Sequence, residues 1–271
     1  MEIYFSSSDD FLGIMQKQIT SIVSYEKIST GWTNFVFIAT TKNSQYIFRF
    51  PRNKFFSNAI LKEFEINKFL KNKISFKIPK MQLLYDNLRP FSMHKEISGT
   101  SLSFCYQDLS KEELNSLAKD VCKLLKEFSQ IQTKGKNLQL VSNFLDNLSL
   151  VSQNDYNLSV HNEIKKMEEK HLIFSHGDLN PGNLILKNHK LYAVIDFAFA
   201  GISYDLVDLS RLLGRCPDEF KDILLNEYEK CFGKINFDEV EKLKKLWEYV
   251  EEKYILYMKQ NCPDIILSNL V

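Results

Sequence analysis

The 271-residue chain reads as an α+β fold, with a β-rich N-terminal third and a larger, mainly helical remainder. Three observations predict it. Apolar and aromatic runs at 23–28, 35–38 and 46–50 are separated by short polar turns, the pattern of a β-meander. Leu114, Leu117, Val121, Leu124, Phe128 and Ile131 recur at three-to-four spacing, the period of an amphipathic helix. Leu243, Leu246, Trp247, Val250, Tyr254, Tyr257 and Met258 fall within one helical face near the C-terminus, on a helix that begins near Asp238.

In the N-terminal third, the first turn is Ser29-Thr30-Gly31-Trp32-Thr33-Asn34. It holds one glycine, so it is not a Gly-x-Gly-x-x-Gly loop. Its small hydroxylated residues can still offer donors to a phosphate, and an ordinary hairpin turn has the same composition. Lys42-Asn43-Ser44 turns the chain into the third strand. A helix follows from near Asn58, with Ala59, Glu63, Ile66 and Leu70 on one face. A carboxylate held among apolar neighbours needs a cationic partner, because its ionised form is otherwise costly to bury. Arg49, on the preceding strand, is the candidate; Arg52 and Lys54 lie close in sequence, and a plain surface pair is the alternative. Lys77-Ile78-Pro79 leads into a further strand over 81–85.

In the remainder, Ser110 and Glu113 fit a capping box at the start of the first amphipathic helix. A polar stretch over 142–162 shows no period, and a helix over 162–170 leads into the most informative segment. That segment is His176-Gly177-Asp178-Leu179-Asn180-Pro181-Gly182-Asn183, followed by Ile195-Asp196-Phe197. Residues 184–187 and 191–195 read as two short strands with a turn at 188–190. In an antiparallel pair the residue before the first strand lies beside the residue after the second. Asn183 and Asp196 therefore become neighbours, with Asp178 on the loop leading in. Hard oxygen donors meeting at one point suit Mg²⁺, and a nearby aspartate can receive or orient a substrate hydroxyl. A surface turn also favours Asp, Asn and Gly, which is the competing reading of the same residues.

Bulk composition narrows the class. With 44% apolar and 25% charged residues, the chain has enough apolar surface for a packed core, to which 21 phenylalanines contribute. A net charge of +1 gives no global field for nucleic acid or an anionic membrane. No window approaches the roughly 18 apolar residues of a spanning helix, and the N-terminus has no signal-peptide core. Five scattered cysteines without a Cys-x-x-Cys pair point to a reduced, cytoplasmic protein with neither a disulfide framework nor a zinc site.

The His-x-Asp-x-x-x-x-Asn segment followed by Ile-Asp-Phe resembles the catalytic core of aminoglycoside phosphotransferases and choline-kinase-like enzymes, small-molecule relatives of the protein kinases. The resemblance implies a bilobal protein-kinase-like fold, with an N-lobe over 1–95 and a C-lobe over 96–271. It implies ATP or GTP as phosphate donor and Mg²⁺ held by Asn183 and Asp196, with Asp178 as the catalytic aspartate. His176 buttresses the loop and Asp208 tethers it, although Asp205 competes with Asp208 as a helix cap. Arg49, oriented by Glu63, contacts nucleotide phosphates, together with Ser29, Thr30 and Gly31. Residues 91–99, with His94 and Glu96, resemble the segment that joins the lobes and holds an adenine edge through backbone groups. Only 12 positions separate Asp196 from Asp208, too few for the activation segment of a protein kinase.

A small-molecule hydroxyl acceptor follows. An aminoglycoside-type amino sugar or amino alcohol is expected, with choline, ethanolamine or a sugar of surface-glycan metabolism as alternatives. Antibiotic resistance and a metabolic role both fit. Glu251, flanked by Trp247 and Tyr254, suits a cationic acceptor, since a carboxylate pairs with ammonium and an aromatic face attracts cations. The alternation of Glu248, Glu251 and Glu252 with Lys242, Lys244, Lys245 and Lys253 equally suits a solvated helix face. A nucleotide-binding module without catalysis is the reading from another class, and the intact polar set argues against it. Oligomeric state is left open.

Overall fold

A computed structural model of the chain describes residues 4–28, 33–132, 162, 166 and 172–261. Ser29, Thr30 and Gly31 lie outside the described residues, as does most of the helix expected over 162–170. The chain divides into two compact units: Met1–Asn67 with Pro79–Ile97 and Tyr254–Val271, and Lys68–Ile78 with Ser98–Lys253.

The first unit is built on a five-stranded antiparallel sheet in the order β1-β2-β3-β5-β4. Its strands are β1 (Ser24–Ile28), β2 (Asn34–Thr40), β3 (Gln45–Pro51), β4 (Gln82–Asp86) and β5 (Arg89–Lys95). Strand alternation puts Phe35 opposite Phe50, Phe37 opposite Phe48, and Phe48 opposite Met93, all on one face. Helix α1 (Phe11–Gln18), capped by the Asp10 side chain on the Gly13 N–H, covers that face with Phe11, Ile14 and Met15. Phe5 and Phe91 complete the aromatic cluster.

The opposite face carries Val36, Arg49 and Ser92 in lateral register. Period-2 alternation thus separates Arg49, the half-buried cation of β3, from the phenylalanine core. Helix α2 (Lys54–Leu70) starts a turn earlier than expected from the apolar pattern. The reason is Asn53, whose side-chain oxygen accepts from the Phe56 N–H at 3.0 Å and caps the helix there. Phe56, Ile60, Glu63 and Ile66 form its buried stripe. Strand β5 takes in the first half of the joining segment expected at 91–99, ending at Lys95, with His94 paired to Ile47 in the sheet.

The second unit has two small sheets and several helices. Strand β7 (Leu172–Ser175) pairs antiparallel with β10 (Gly201–Tyr204), and β8 (Leu184–Lys187) lies between β6 (Thr100–Ser101) and β9 (Lys190–Val194). The β8–β9 turn is two residues, Asn188 and His189, both at positive φ (52° and 60°), as a tight hairpin matched to strand twist requires. Helices are α3 (Leu102–Cys105), α4 (Lys111–Ser129), α5 (Val207–Arg215), α6 (Asp218–Phe232) and α7 (Phe237–Asn261), the last belonging to this unit through Lys253. Ser110 and Glu113 form a full capping box on α4, and Leu114, Leu117, Val121, Leu124 and Phe128 are buried. Helix α4 packs on α6, β7 and β9, the strands β7 and β9 being those that lead into the 176–183 loop and the Asp196 turn. No helix among the described residues is long and apolar enough to cross a membrane.

Candidate active site

The loop between β7 and β8 carries His176 to Asn183, and the turn after β9 carries Asp196. Hairpin pairing extends one step beyond the strands, with the Ile195 N–H donating to the Asn183 carbonyl at 3.1 Å. That bond brings the backbone of Asn183 and the Asp196 segment side by side. Asp196 itself adopts a left-handed backbone (φ 64°), which turns the chain sharply into Phe197.

The loop is anchored from beneath. Both oxygens of the buried Asp208 accept backbone donors, from the His176 N–H at 2.8 Å and the Gly177 N–H at 2.9 Å. Burial pushes the Asp208 carboxyl up, while His176 and the two N–H donors pull the other way. The N-cap position of α5 is Leu206, one residue after Asp205. His176 is fully buried, packs against Phe197 with tilted rings 4.5 Å apart, and its Nε2 lies 3.0 Å from the Ile195 carbonyl. One imidazole thus links the loop to the Asp196 segment. Gly177 has φ +77°, and a Cβ there would lie 2.1 Å from the Phe199 carbonyl oxygen, so no other residue fits.

Above this anchor, the carboxylate of Asp178 is held on both sides. Asn183 Nδ2 donates to the Asp178 carbonyl at 2.9 Å and approaches its Oδ2 at 3.5 Å. Arg211 Nε donates to Oδ1 at 2.8 Å. Arg211 is only 12% exposed, its guanidinium lies 4.7 Å from the Trp247 ring centre, and its NH1 pairs with Glu251 Oε1 at 2.7 Å. Glu251 also accepts from Arg215. Burial opposes the charge on Arg211, and Asp178 and Glu251 overcome it, raising its pKa. Burial likewise opposes the charge on Glu251, and Arg211 and Arg215 outweigh it, holding the carboxyl below its ordinary range.

Arg211 is the residue that sequence reasoning missed. It had a signal: α5 buries Val207, Asp208, Leu209, Ser210, Leu212 and Leu213, and a cation in so buried a helix needs a carboxylate partner. Of the three residues expected to meet an acceptor, Trp247 and Glu251 are brought together around Arg211. Tyr254 is grouped with the first unit, buried against Phe55 and Phe56.

In the first unit, Arg49 pairs with Glu63, which is 2% exposed, and its Nε donates to Ser92 Oγ at 3.3 Å. The pair fixes the guanidinium on the face away from the phenylalanine core. His94 is half-buried, with Nδ1 3.0 Å from the Lys95 carbonyl. The Glu96 side chain is exposed while its N–H donates to the Gln45 carbonyl.

The donor chemistry fits Mg²⁺. Among the described residues no group of three or more His, Cys, Asp or Glu side chains is placed to hold a metal ion. Asp196 and Asn183, whose Nδ2 is turned to Asp178, offer one carboxylate and one carboxamide from neighbouring backbone positions. Such a set suits an ion that completes its shell with phosphate oxygens and water.

With this geometry the comparisons agree: residues 24–243 match the model of the phosphotransferase enzyme family, and the chain belongs to that family. Comparison with curated proteins by sequence gives no match. Solved structures share the fold over nearly the whole chain. The gentamicin complex of APH(2")-IIa superposes with a TM-score of 0.69 at 22% identity, covering 97% of each chain. The GDP complex of aminoglycoside 2'-phosphotransferase-IIIa gives 0.68 at 18% identity, covering 98% of this chain and 96% of that one. Macrolide 2'-phosphotransferase MphH from Brachybacterium faecium gives 0.63 at 12%, covering 94% and 95%.

Proposed function

We propose that this protein is a Mg²⁺-dependent kinase that moves the γ-phosphate of ATP or GTP to a hydroxyl of a small molecule. The observation that carries the reading is the Asp178 carboxylate, pinned between Asn183 and Arg211 on a loop whose backbone is tied to Asp208. A carboxylate so fixed presents one oxygen in a defined direction. Arg211 occupies Oδ1, while Oδ2, approached only at 3.5 Å by Asn183 Nδ2, would accept a hydrogen bond from the acceptor hydroxyl and take its proton as the new bond to phosphorus forms. Asn183 and Asp196 would hold Mg²⁺, which when bound neutralises phosphate charge. Arg49, oriented by Glu63, supplies a fixed cation of the kind that phosphates bind bidentately. His94 and Glu96 are assigned to nucleotide contact through the backbone, and Ser29, Thr30 and Gly31 to phosphate contact.

Gentamicin and streptomycin complexes exist for fold neighbours, and this supports an aminoglycoside-type amino sugar or amino alcohol as one acceptor class. Macrolide phosphotransferases of the same fold, together with the full engagement of Glu251 by arginines, support a less cationic acceptor such as a sugar. Cys105, Cys122, Cys216 and Cys231 are free thiols, which supports a cytoplasmic setting.

The test is nucleotide turnover with Mg²⁺ across a panel of alcohols, wild type against Asp178→Ala. The variant is expected to lose on the order of 10²–10⁴ in kcat while retaining nucleotide binding. Equal turnover in both proteins would remove Asp178 from the mechanism.

A further inference from the structure

Two of the free thiols meet away from the candidate active site. Cys122 lies near the middle of α4, 1% exposed, between the buried Val121 and Leu125. Helix α6 packs against α4, and Leu224, Tyr228 and Cys231 recur along it at three-to-four spacing. Leu224 and Tyr228 are buried, and Cys231, next to the helix end, is exposed. That row of side chains thus runs from the core out to solvent. At its open end the Cys231 and Cys122 thiols are hydrogen-bonded to each other. Burial pushes the Cys122 thiol up to about 12, and the neighbouring sulfur and the Glu227 carboxylate push the same way. A buried, protonated thiol is inert to an oxidant in solution, whereas the exposed Cys231 is within its reach. Of the other described cysteines, Cys105 donates to the Ser101 carbonyl at 3.4 Å and Cys216 is buried beside Lys221.

We infer that Cys122 and Cys231 are a peroxide-sensitive thiol pair: Cys231 takes the oxidation, Cys122 resolves it, and a reversible disulfide then ties α4 to α6. The oxidant is a hydroperoxide. The Cys231 thiolate attacks one peroxide oxygen, the O–O bond breaks, and the other oxygen leaves as water (or as the alcohol of an organic hydroperoxide). Cys231 is then a sulfenic acid. The Cys122 sulfur, already its hydrogen-bonding neighbour, attacks the sulfenic sulfur. The S–S bond forms, the S–O bond breaks, and the Cys122 proton leaves with the hydroxyl as water. With hydrogen peroxide, two thiols lose two electrons and two protons in total, and one peroxide becomes two waters. The pair needs neither nucleotide nor acceptor, so it stands apart from the kinase reading. The chain between the two cysteines contains residues 176–183 and Asp196, so the bond closes a loop around the candidate site and raises resistance to unfolding.

The experiment treats the reduced full chain with a small excess of hydrogen peroxide, then blocks remaining thiols and maps peptides without reduction. Wild type is expected to lose two hydrogen atoms in mass and to give the Cys122–Cys231 linked peptide. That peptide should exceed every other cysteine pair, Cys262 included, by at least about tenfold. Dithiothreitol should restore both thiols, and the oxidised form should unfold at higher urea than the reduced one. In Cys122→Ala, dimedone should trap a sulfenic acid at Cys231. Should that variant not fold, Cys231→Ser serves instead, and its Cys122 is expected to stay a free thiol through the same treatment. Three results would overturn the inference: sulfinic acid at Cys231 of wild type without the linked peptide, a Cys231–Cys231 bond between two chains as the main product, or oxidation of Cys122 in Cys231→Ser.

Discussion

Replacing Arg211 by Met removes the link between the Asp178 carboxylate and helix α7 while keeping much of the apolar stem. Two charge-assisted hydrogen bonds are lost, at 2.8 Å to Asp178 and 2.7 Å to Glu251, each of a kind that contributes about 1.5–3 kcal/mol. The contact with Trp247 adds about 0.5–1 kcal/mol. Two features reduce the total: Asp178 and Glu251 are 21% and 23% exposed, so water partly replaces the guanidinium, and Glu251 keeps Arg215. The expected net destabilisation is about 2–4 kcal/mol. Much of that cost comes from stranding Asp178, so it should shrink when Asp178 is already neutral. A double-mutant cycle of Arg211→Met with Asp178→Asn, read by urea unfolding at neutral pH, is therefore expected to show a coupling of about 1–2 kcal/mol. Because the cycle measures stability, it needs no substrate. Additive effects within about 0.5 kcal/mol would refute the claim that Arg211 is there to hold Asp178.

Two further outcomes follow from the same geometry. Gly177→Ala places a Cβ against the Phe199 carbonyl at a backbone angle of +77°; a loss of at least about 2 kcal/mol in thermal unfolding is expected, and a change under about 0.5 kcal/mol would contradict the described loop. Glu251 has a depressed folded pKa, so its ion pairs contribute stability fully above the ordinary glutamate value of 4.5 and lose it as pH falls through the lower folded value. Urea midpoints should accordingly fall less steeply with acid in Glu251→Gln than in wild type, and parallel curves would show that the pairing contributes nothing.

Much of this site was legible because its residues are local. Asn183, Asp196 and the strands between them lie within one hairpin, and alternation plus a polar turn specify their adjacency. The same holds for the capping box of Ser110 and Glu113 and for the phenylalanines of β2 and β3, whose register follows from period-2 burial. Arg49 and Glu63 were legible for a different reason: a charge in an apolar stripe asks for a partner. The misses share one cause, which is that long-range or cap chemistry overrides local pattern. Asn53 starts α2 before its apolar face begins. Strand β5 continues through His94 because β3 pairs with it there. Arg211 is 33 positions from the loop residue Asp178 and lies on helix α5, so only its improbable burial betrayed it.

The central claim, that Asp178 delivers an acceptor hydroxyl directly to the γ-phosphoryl group, is tested most directly by the stereochemical course at phosphorus. A nucleotide made chiral at the γ-phosphate with oxygen isotopes is turned over by wild type, and the configuration of the phosphorylated alcohol is determined. Direct in-line transfer predicts inversion. Retention would require a covalent phospho-enzyme between donor and product and would contradict the role given to Asp178.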